Sequence, residues 1–174
     1  GQVGEGAAGD WGGILSRDTF NANPFVSAIP YVMFSASMVI GRLIGDYIRM
    51  KYGARKILLI CGLIAGAGLI FGLTIGGIGG VIIGWTALGA GLSITIPILF
   101  AASGEIARNN YPGKFAPSEG VAMVSGIAYF GFMAGPPLIG FLANQFSLRT
   151  AMYLPGILAL ILALVAYQAL KNYD

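Results

Sequence analysis

The sequence predicts an all-α membrane protein, a bundle of spanning helices. Of its 174 residues, 56% are hydrophobic and only 10% are charged, whereas soluble domains carry roughly a quarter charged residues. The mean hydropathy is +0.79. The apolar residues gather in runs of about 20, the length that an α-helix needs to cross a bilayer. The chain is long enough for five full spans and part of a sixth.

A basic segment orients these spans. Residues 41–57 read GRLIGDYIRMKYGARKI and hold five of the ten basic residues, with long apolar runs on both sides. Lysine and arginine are enriched in cytoplasmic loops. We therefore predict that residues 48–56, here called the basic turn, form a cytoplasmic loop between two spans.

The other elements follow in alternating directions. Residues 1–15 are interpreted as the end of a span that begins before Gly1, because the sequence opens without a start residue or a signal peptide. The next five spans are predicted at 25–47, 57–75, 81–103, 118–144 and 150–170. Besides the basic turn, the predicted connections are an external loop at 16–24, an external glycine turn at 76–80, a cytoplasmic loop at 105–117 and an external turn at 145–149. The C-terminus is then cytoplasmic.

The distribution of charge supports this topology. Two basic residues, Arg17 and Arg149, fall in the connections predicted to be external. Eight fall in those predicted to be cytoplasmic: Arg42, Arg49, Lys51, Arg55, Lys56, Arg108, Lys114 and Lys171. This bias is the one expected for a multi-pass protein of the cytoplasmic membrane.

Glycine and proline are placed as in helices that pack closely and bend around cavities. Lipid provides no hydrophobic drive for helices to associate, so pairs of glycines at four-residue spacing indicate close helix contact. Such pairs are Gly41 and Gly45, Gly62 and Gly66, Gly68 and Gly72, and Gly131 and Gly135. Proline within a span removes a backbone donor and tends to kink the helix. Prolines lie within or at the ends of the spans at Pro30, Pro97, Pro136, Pro137 and Pro155.

The composition excludes several classes of function. Cys61 is the only cysteine and there is no histidine, so a disulfide, a thiolate metal cluster and an imidazole metal site are not expected. The basic residues lie in loops beside apolar spans, which argues against nucleic acid as a partner. No nucleophile with a base and no phosphate-binding loop is present. We expect no enzyme and no cofactor.

The basic turn carries a family resemblance. Its end, Lys51-Tyr52-Gly53-Ala54-Arg55-Lys56, resembles the signature loop between the second and third helices of each half of the major facilitator superfamily. The match is partial, since Met50 stands where that loop has Asp and Asp46 where it has Gly. The runs GRLIGD, SITIPILF and GFMAGPPLIGFLA resemble later helices of a bacterial subgroup that includes sugar-permease relatives. The likeness covers nearly the whole chain, as the end of helix seven through helix twelve.

The resemblance implies a secondary transporter with two six-helix halves, of which this chain is the C-terminal one. Such a protein moves a small solute, with protons or another ion or as a uniporter, through a site near the midplane of the lipid bilayer by alternating access. The N-terminal half would be a required partner, and the location would be a bacterial cytoplasmic membrane.

The resemblance also implies a cytoplasmic gate motif, formed by Arg42, Asp46, Gly53, Arg55 and Lys56. In this interpretation the acidic residue contacts a neighbouring helix and stabilises the outward-open state. The residues themselves leave an alternative, because Arg42 and Asp46 are four apart on one helix face and are spaced for an intrahelical ion pair.

Two carboxylates are the main candidates for substrate or proton binding. An ionisable group at a helix centre costs about 2.5–3.5 kcal/mol on insertion scales, so it normally faces a cavity or a partner. Glu5 and Asp10 are five residues apart, and their side chains therefore point in different directions. Asp10 either pairs with Arg17 near the external surface or serves the solute or the proton. Glu5, the deeper of the two, is the better candidate for proton coupling.

Aromatic and hydroxyl side chains complete the candidate site. Trp11 is interpreted as an interfacial anchor, with stacking on a sugar ring as the alternative. Tyr31 and Ser37 share one helix face, which suits a cavity wall or packing against another helix. Thr95 and Tyr129 add hydroxyls, although a serine or threonine hydroxyl in a helix often bonds its own backbone.

The sequence thus favours a secondary carrier, a symporter or antiporter coupled to protons, for a neutral or weakly charged solute such as a sugar. Two alternatives belong to other classes. The first is a subunit of an oligomeric six-helix channel, which would have a full initial helix and need no second half. The second is a membrane scaffold or receptor that does not transport.

Overall fold

The apolar runs of the chain form long helices. The computed structural model describes residues 1–171, and these contain no strand. Among them, five helical stretches are long and apolar enough to cross a membrane. The prediction of an all-α protein with several membrane spans is therefore confirmed. Residues 172–174, the end of the tail that the sequence places in the cytoplasm, lie outside the described residues.

The helices follow one another with short connections. α1 covers Gln2–Ile14 and continues directly into a π-helical segment at Leu15–Thr19. The others are α2 (Pro24–Tyr52), α3 (Ala54–Ile75), α4 (Gly77–Leu92), α5 (Thr95–Asn110), α6 (Pro117–Gln145), α7 (Leu148–Ala151) and α8 (Tyr153–Ala169). α4 and α5 together make one span, and so do α7 and α8.

All five predicted connections are shorter in the structure than the sequence predicts. They reduce to residues 20–23, 53, 76, 111–116 and 146–147. The basic turn is thus not a loop, because helix occupies all of it except Gly53. The reason is that hydropathy marks the membrane border, whereas Lys, Arg, Glu and Gln are good helix formers and carry the helices beyond it.

Two of the reversals depend on glycine. Gly53 has φ of 80° and Gly76 has φ of 74°, a region that costs other residues steric strain. The chain turns from α2 into α3 at the first and from α3 into α4 at the second. By contrast, α2 begins at a side-chain cap, where Asn23 Oδ1 accepts a hydrogen bond of 2.9 Å from the N–H of Val26.

The fourth predicted span, 81–103, is longer than predicted and is interrupted between α4 and α5. The interruption lies at Ser93 and Ile94. Pro97 explains it, because a proline has no N–H and its ring clashes with the carbonyl four residues earlier, here that of Ser93. The hydroxyl of Ser93 donates to the carbonyl of Ala90 at 2.7 Å, and the hydroxyl of Thr95 donates to that of Gly91 at 3.1 Å.

The glycine pairs lie at helix contacts, as predicted. On α3, Gly62 and Gly66 face α8, where an added Cβ would meet Ala163 or Leu160. Gly68 and Gly72 face α4. The two other pairs also face neighbours, Gly41 and Gly45 at Ser93 and Ile94, and Gly131 and Gly135 at Val3 of α1. α3 is therefore held closely between α4 and α8.

Two arginines join α3 and α8 at their opposite ends. Arg149, which precedes α8, donates to the carbonyl of Leu73 from Nε at 3.0 Å and from Nη2 at 2.6 Å, and Nη2 also reaches the carbonyl of Thr74 at 3.1 Å. At the other end, Arg55 Nε donates to the carbonyl of Tyr167 at 2.7 Å. The guanidinium also lies 3.8 Å from the centre of the Tyr167 ring. Each arginine thus caps the C-terminal end of the neighbouring helix.

The remaining helices are less well covered. α1 lies between α2 and α6, and Trp85 of α4 is fully buried beneath it. The indole Nε1 donates to the carbonyl of Ala8 at 3.4 Å, and a Cβ on Gly12 would collide with the ring. Only 17% of the apolar stretch of α2 and 11% of that of α6 are buried, against 61% for the stretch of α4 and α5. α2 and α6 therefore present long uncovered faces.

Gly72→Ala tests the contact between α3 and α4. The added methyl would meet the backbone of Gly80 and Gly84, which cannot rotate aside as a side chain can. We expect a lower Tm of the purified protein, corresponding to about 1–3 kcal/mol. In the control, Gly79→Ala, the added methyl has no neighbour within 4 Å, so Tm should stay the same or rise. Equal losses in the two variants would contradict the close contact.

Arg149→Ala tests the cap on α3. The change leaves two carbonyls at the end of α3 without a donor, and we expect a loss of about 2 kcal/mol, read as a lower Tm. Arg17→Ala is the matched control, because within residues 1–171 Arg17 pairs only with the adjacent, exposed Asp18. Such surface pairs contribute little. A Tm for Arg149→Ala as high as that for Arg17→Ala would show that the cap is dispensable.

Candidate functional site

The candidate site is the part of α1 exposed between α2 and α6. Glu5 is half-buried there and Asp10 is exposed. At a rise of 1.5 Å per residue, Asp10 lies about 14 Å and Glu5 about 21 Å from Thr19 at the outer end of the helix. The hydrocarbon core is about 30 Å thick. With Thr19 at the membrane surface, both carboxylates lie at membrane depth.

Asp10 does not form the predicted pair with Arg17. α1 does continue past its glycines, as that pairing requires, but Arg17 Nε donates to Asp18 Oδ1 at 2.7 Å instead. This hydrogen bond raises the pKa of Arg17 from its ordinary value. The short side chain of Asp18 is adjacent in sequence and already at the helix end, whereas Asp10 is two turns away. The carboxylate of Asp10 is thus left facing the uncovered side of α1.

Tyr31 lies beside these carboxylates. Its ring approaches α1 at Gly9, where an added Cβ would be 3.8 Å from Cε2. The side chain is 47% exposed, and its ring stacks on that of Phe34 with 6.1 Å between the centres. Tyr31 thus lies against the part of α1 that carries Asp10, the residue after Gly9, with Glu5 one helical turn earlier.

Ser37 and Thr95 are not available to this region. Ser37 Oγ donates to the carbonyl of Phe34 at 2.9 Å, and the residue packs where Gly89 of α4 approaches α2. Thr95 is buried, and its hydroxyl donates to the carbonyl of Gly91 near the end of α4. The helix face that carries Tyr31 and Ser37 was expected either to line a cavity or to pack against another helix. In the structure Ser37 and Phe34 on this face pack against α4, and Tyr31 is exposed.

Trp11 and Tyr129 lie in different surroundings. Trp11 is partly buried against α6, where Gly140 leaves room for the indole ring. Its Nε1 is buried and has no hydrogen-bond partner among the described residues. Trp11 therefore packs between α1 and α6. Tyr129, on α6, is 71% exposed.

A groove lies beside the start of α1. It has a volume of about 420 Å³ and separates α1, α5, α6 and α8. Its walls are almost entirely apolar and include Val3, Ile96, Leu99, Ile127 and Leu162. Such a groove suits an apolar helix better than a polar solute.

Comparison with known proteins identifies the family. A model described as the Major Facilitator Superfamily matches residues 12–172. The chain belongs to the major facilitator superfamily. The superfamily predicted from the sequence is therefore confirmed, and it is one of membrane transporters, not of enzymes.

Curated relatives agree with this assignment. An uncharacterized transporter of the same superfamily from Yersinia pestis is 35% identical over 95% of the chain and 41% of its own length. The membrane protein MosC of Rhizobium meliloti is 31% identical over 86% of the chain and 35% of its own length. The uncharacterized transporter y4wD of Sinorhizobium fredii is 27% identical over 94% and 42%. The chain thus spans about two fifths of the relatives that it matches. No solved structure matches it.

The residues of the gate motif that the resemblance implies lie at the end of α2 and the start of α3. Arg42 and Asp46 are exposed and border a cavity of about 170 Å³ that Pro97 also lines. They form no ion pair with each other within residues 1–171, so the predicted intrahelical pair is absent. Gly53 makes the turn, Lys56 is exposed, and Arg55 binds α8. Arg55 therefore ties two helices of this chain together.

Sequence reasoning missed two residues that shape the site. Trp85 packs against α1, and Arg149 caps the C-terminal end of α3. The one available signal for Arg149 was its position in a connection predicted to be external, where basic residues are rare. Nothing in the apolar run around Trp85 distinguishes it from a residue facing lipid.

Cysteine labelling tests whether the exposed side of α2 near α1 is reached by water. In a Cys61→Ala background, Tyr31→Cys should react with a water-soluble maleimide in membranes that contain the full-length protein. Phe34→Cys is the control, three residues away and only 3% exposed, and should stay unreacted. Labelling of neither position would mean that Tyr31 faces lipid or another helix.

Proposed function

We propose that the chain is the C-terminal six-helix half of a secondary transporter that moves a small solute across a bacterial cytoplasmic membrane. The observation that carries the proposal is the position of Glu5 and Asp10, two carboxylates at membrane depth on the uncovered side of α1. Ionisable groups at such depth face a cavity or a partner, because exposure to hydrocarbon is costly. The cavity lies between this half and a second one.

Three features support a second half. α2 and α6 flank the carboxylates with long uncovered faces that carry large exposed apolar side chains. They include Val39, Leu43, Met123, Phe130, Met133 and Phe141. The relatives are more than twice as long as this chain. The apolar groove provides a place where a longer first span would extend α1 between α5, α6 and α8.

Alternating access follows from this arrangement. Closely packed α3, α4 and α8 form a rigid base, while α1, α2 and α6 face the other half across the solute site. Rocking of the halves exposes the site to one side and then to the other. In this topology the basic turn and the C-terminus are cytoplasmic, and Asp46 with Arg42 borders the cytoplasmic closure.

Glu5 is the proposed proton site. It lies deeper than Asp10 along α1 and is half-buried, whereas Asp10 is exposed. Asp10 and Tyr31 are closer to the external side, where they contact the solute. The described spans carry few charges, which favours a neutral or weakly charged solute such as a sugar over a multivalent anion, whose binding would need buried Arg or Lys.

Uptake into vesicles that contain the full-length protein tests both the transport and the role of Glu5. A panel of sugars and other small solutes is offered under an imposed pH gradient. We expect accumulation of one solute class against its gradient, which a channel cannot achieve. Glu5→Gln should abolish accumulation driven by pH while solute exchange without a gradient persists, because the glutamine keeps the shape and cannot release a proton.

Asp10→Asn is the matched control, another carboxylate made neutral on the same helix. We expect weaker solute binding, read as a higher KM, with the response to pH retained. Accumulation by Glu5→Gln at the native level would exclude Glu5 from coupling. Movement of no solute at all would favour the scaffold or receptor.

A further inference from the structure

The basic turn presents cations that the described fold does not use. Lys51 lies in the last turn of α2 and Lys56 in the first turn of α3, so they flank Gly53 on the two arms of the hairpin. Both are exposed, and neither forms an ion pair within residues 1–171. Segment 41–57 has five basic residues and one acidic residue, Asp46. The segment is therefore strongly positive, and within residues 1–171 its two exposed lysines have no ion-pair partner.

The same end of the hairpin is rich in exposed aromatic and apolar surface. Tyr47 is 67% exposed, Met50 79% and Tyr52 52%. The ammonium of Lys51 lies 5.3 Å from the centre of the Tyr52 ring, within the range of a cation–π contact. Tyrosine is enriched where hydrocarbon meets headgroups. Tyrosine beside lysine is thus the combination expected at the level of lipid headgroups.

The length of α2 places its C-terminal end at the level of the lipid headgroups. Its 29 residues extend about 43 Å, whereas the hydrocarbon core is about 30 Å thick. The excess must lie among headgroups, and the polar residues from Asp46 to Tyr52 mark the end that carries most of it. Lys51 and Lys56 then stand beside phosphate groups.

We propose that Lys51 and Lys56, with Tyr52 between them, bind the headgroup of an anionic phospholipid. Charge complementarity identifies the partner. Each lysine near the membrane surface raises the affinity for anionic lipid about fivefold. Arg49 and Arg55 are excluded from the site because both already have contacts. The inference does not depend on transport, and its test does not measure transport.

The test compares binding of phosphatidylglycerol and phosphatidylcholine to the purified full-length protein in neutral detergent, by native mass spectrometry. The native protein should prefer phosphatidylglycerol. Lys51→Gln with Lys56→Gln should weaken phosphatidylglycerol binding about 25-fold, the product of two fivefold losses. Binding of phosphatidylcholine should not change, and an unchanged Tm in that lipid confirms that the variant folds.

Two further variants separate a defined site from diffuse charge. Arg108→Gln with Lys114→Gln removes the same charge from the region between α5 and α6 and should alter phosphatidylglycerol binding less than twofold. Lys51→Arg with Lys56→Arg keeps the charge and should bind as the native protein does. Equal losses in the two glutamine variants, or no preference of the native protein for the anionic lipid, would overturn the proposal.

Discussion

Close backbone contact at glycine is the interaction on which the bundle depends. Between helices in lipid there is no gain from removing apolar surface from water, so the contact itself must supply the attraction. Gly62 and Gly66 bring α3 against α8, and Gly68 and Gly72 bring it against α4. A side chain at these positions would replace contact by collision. α3 can have two such neighbours because its glycines occupy two faces.

The polar groups of the bundle follow from the same environment. A backbone carbonyl without a partner is costly in hydrocarbon, and the chain provides partners from within. The hydroxyls of Ser93 and Thr95 bond carbonyls beside the break before Pro97, and Arg149 and Arg55 satisfy carbonyls at helix ends. These residues explain how a helix can break inside a membrane protein without leaving its backbone unpaired.

The candidate site lies where these stabilising contacts are fewest. α3, α4 and α8 hold one another closely, whereas α2 and α6 cover α1 only at its edges. Asp10 and Tyr31 are exposed there, and Glu5 is half-buried. Membership of the superfamily and the position of these side chains agree with a site that is completed by another half of a transporter.

Composition and pattern alone determined the class of this protein. Hydropathy predicted the membrane spans, and the charge bias predicted their orientation. The glycine spacing predicted the helix contacts, and the partial motif in the basic turn predicted the superfamily. These properties are local, or periodic along one helix, and can be read from a single chain. The roles of individual side chains are different, because they depend on which helix lies opposite. Arg55 belongs to the loop motif but binds α8, Asp10 is spaced for Arg17 but does not pair with it, and Ser37 faces α4. Only the tertiary structure decided these partners, since contact across helices depends on rotation and depth, which the order of residues does not encode locally.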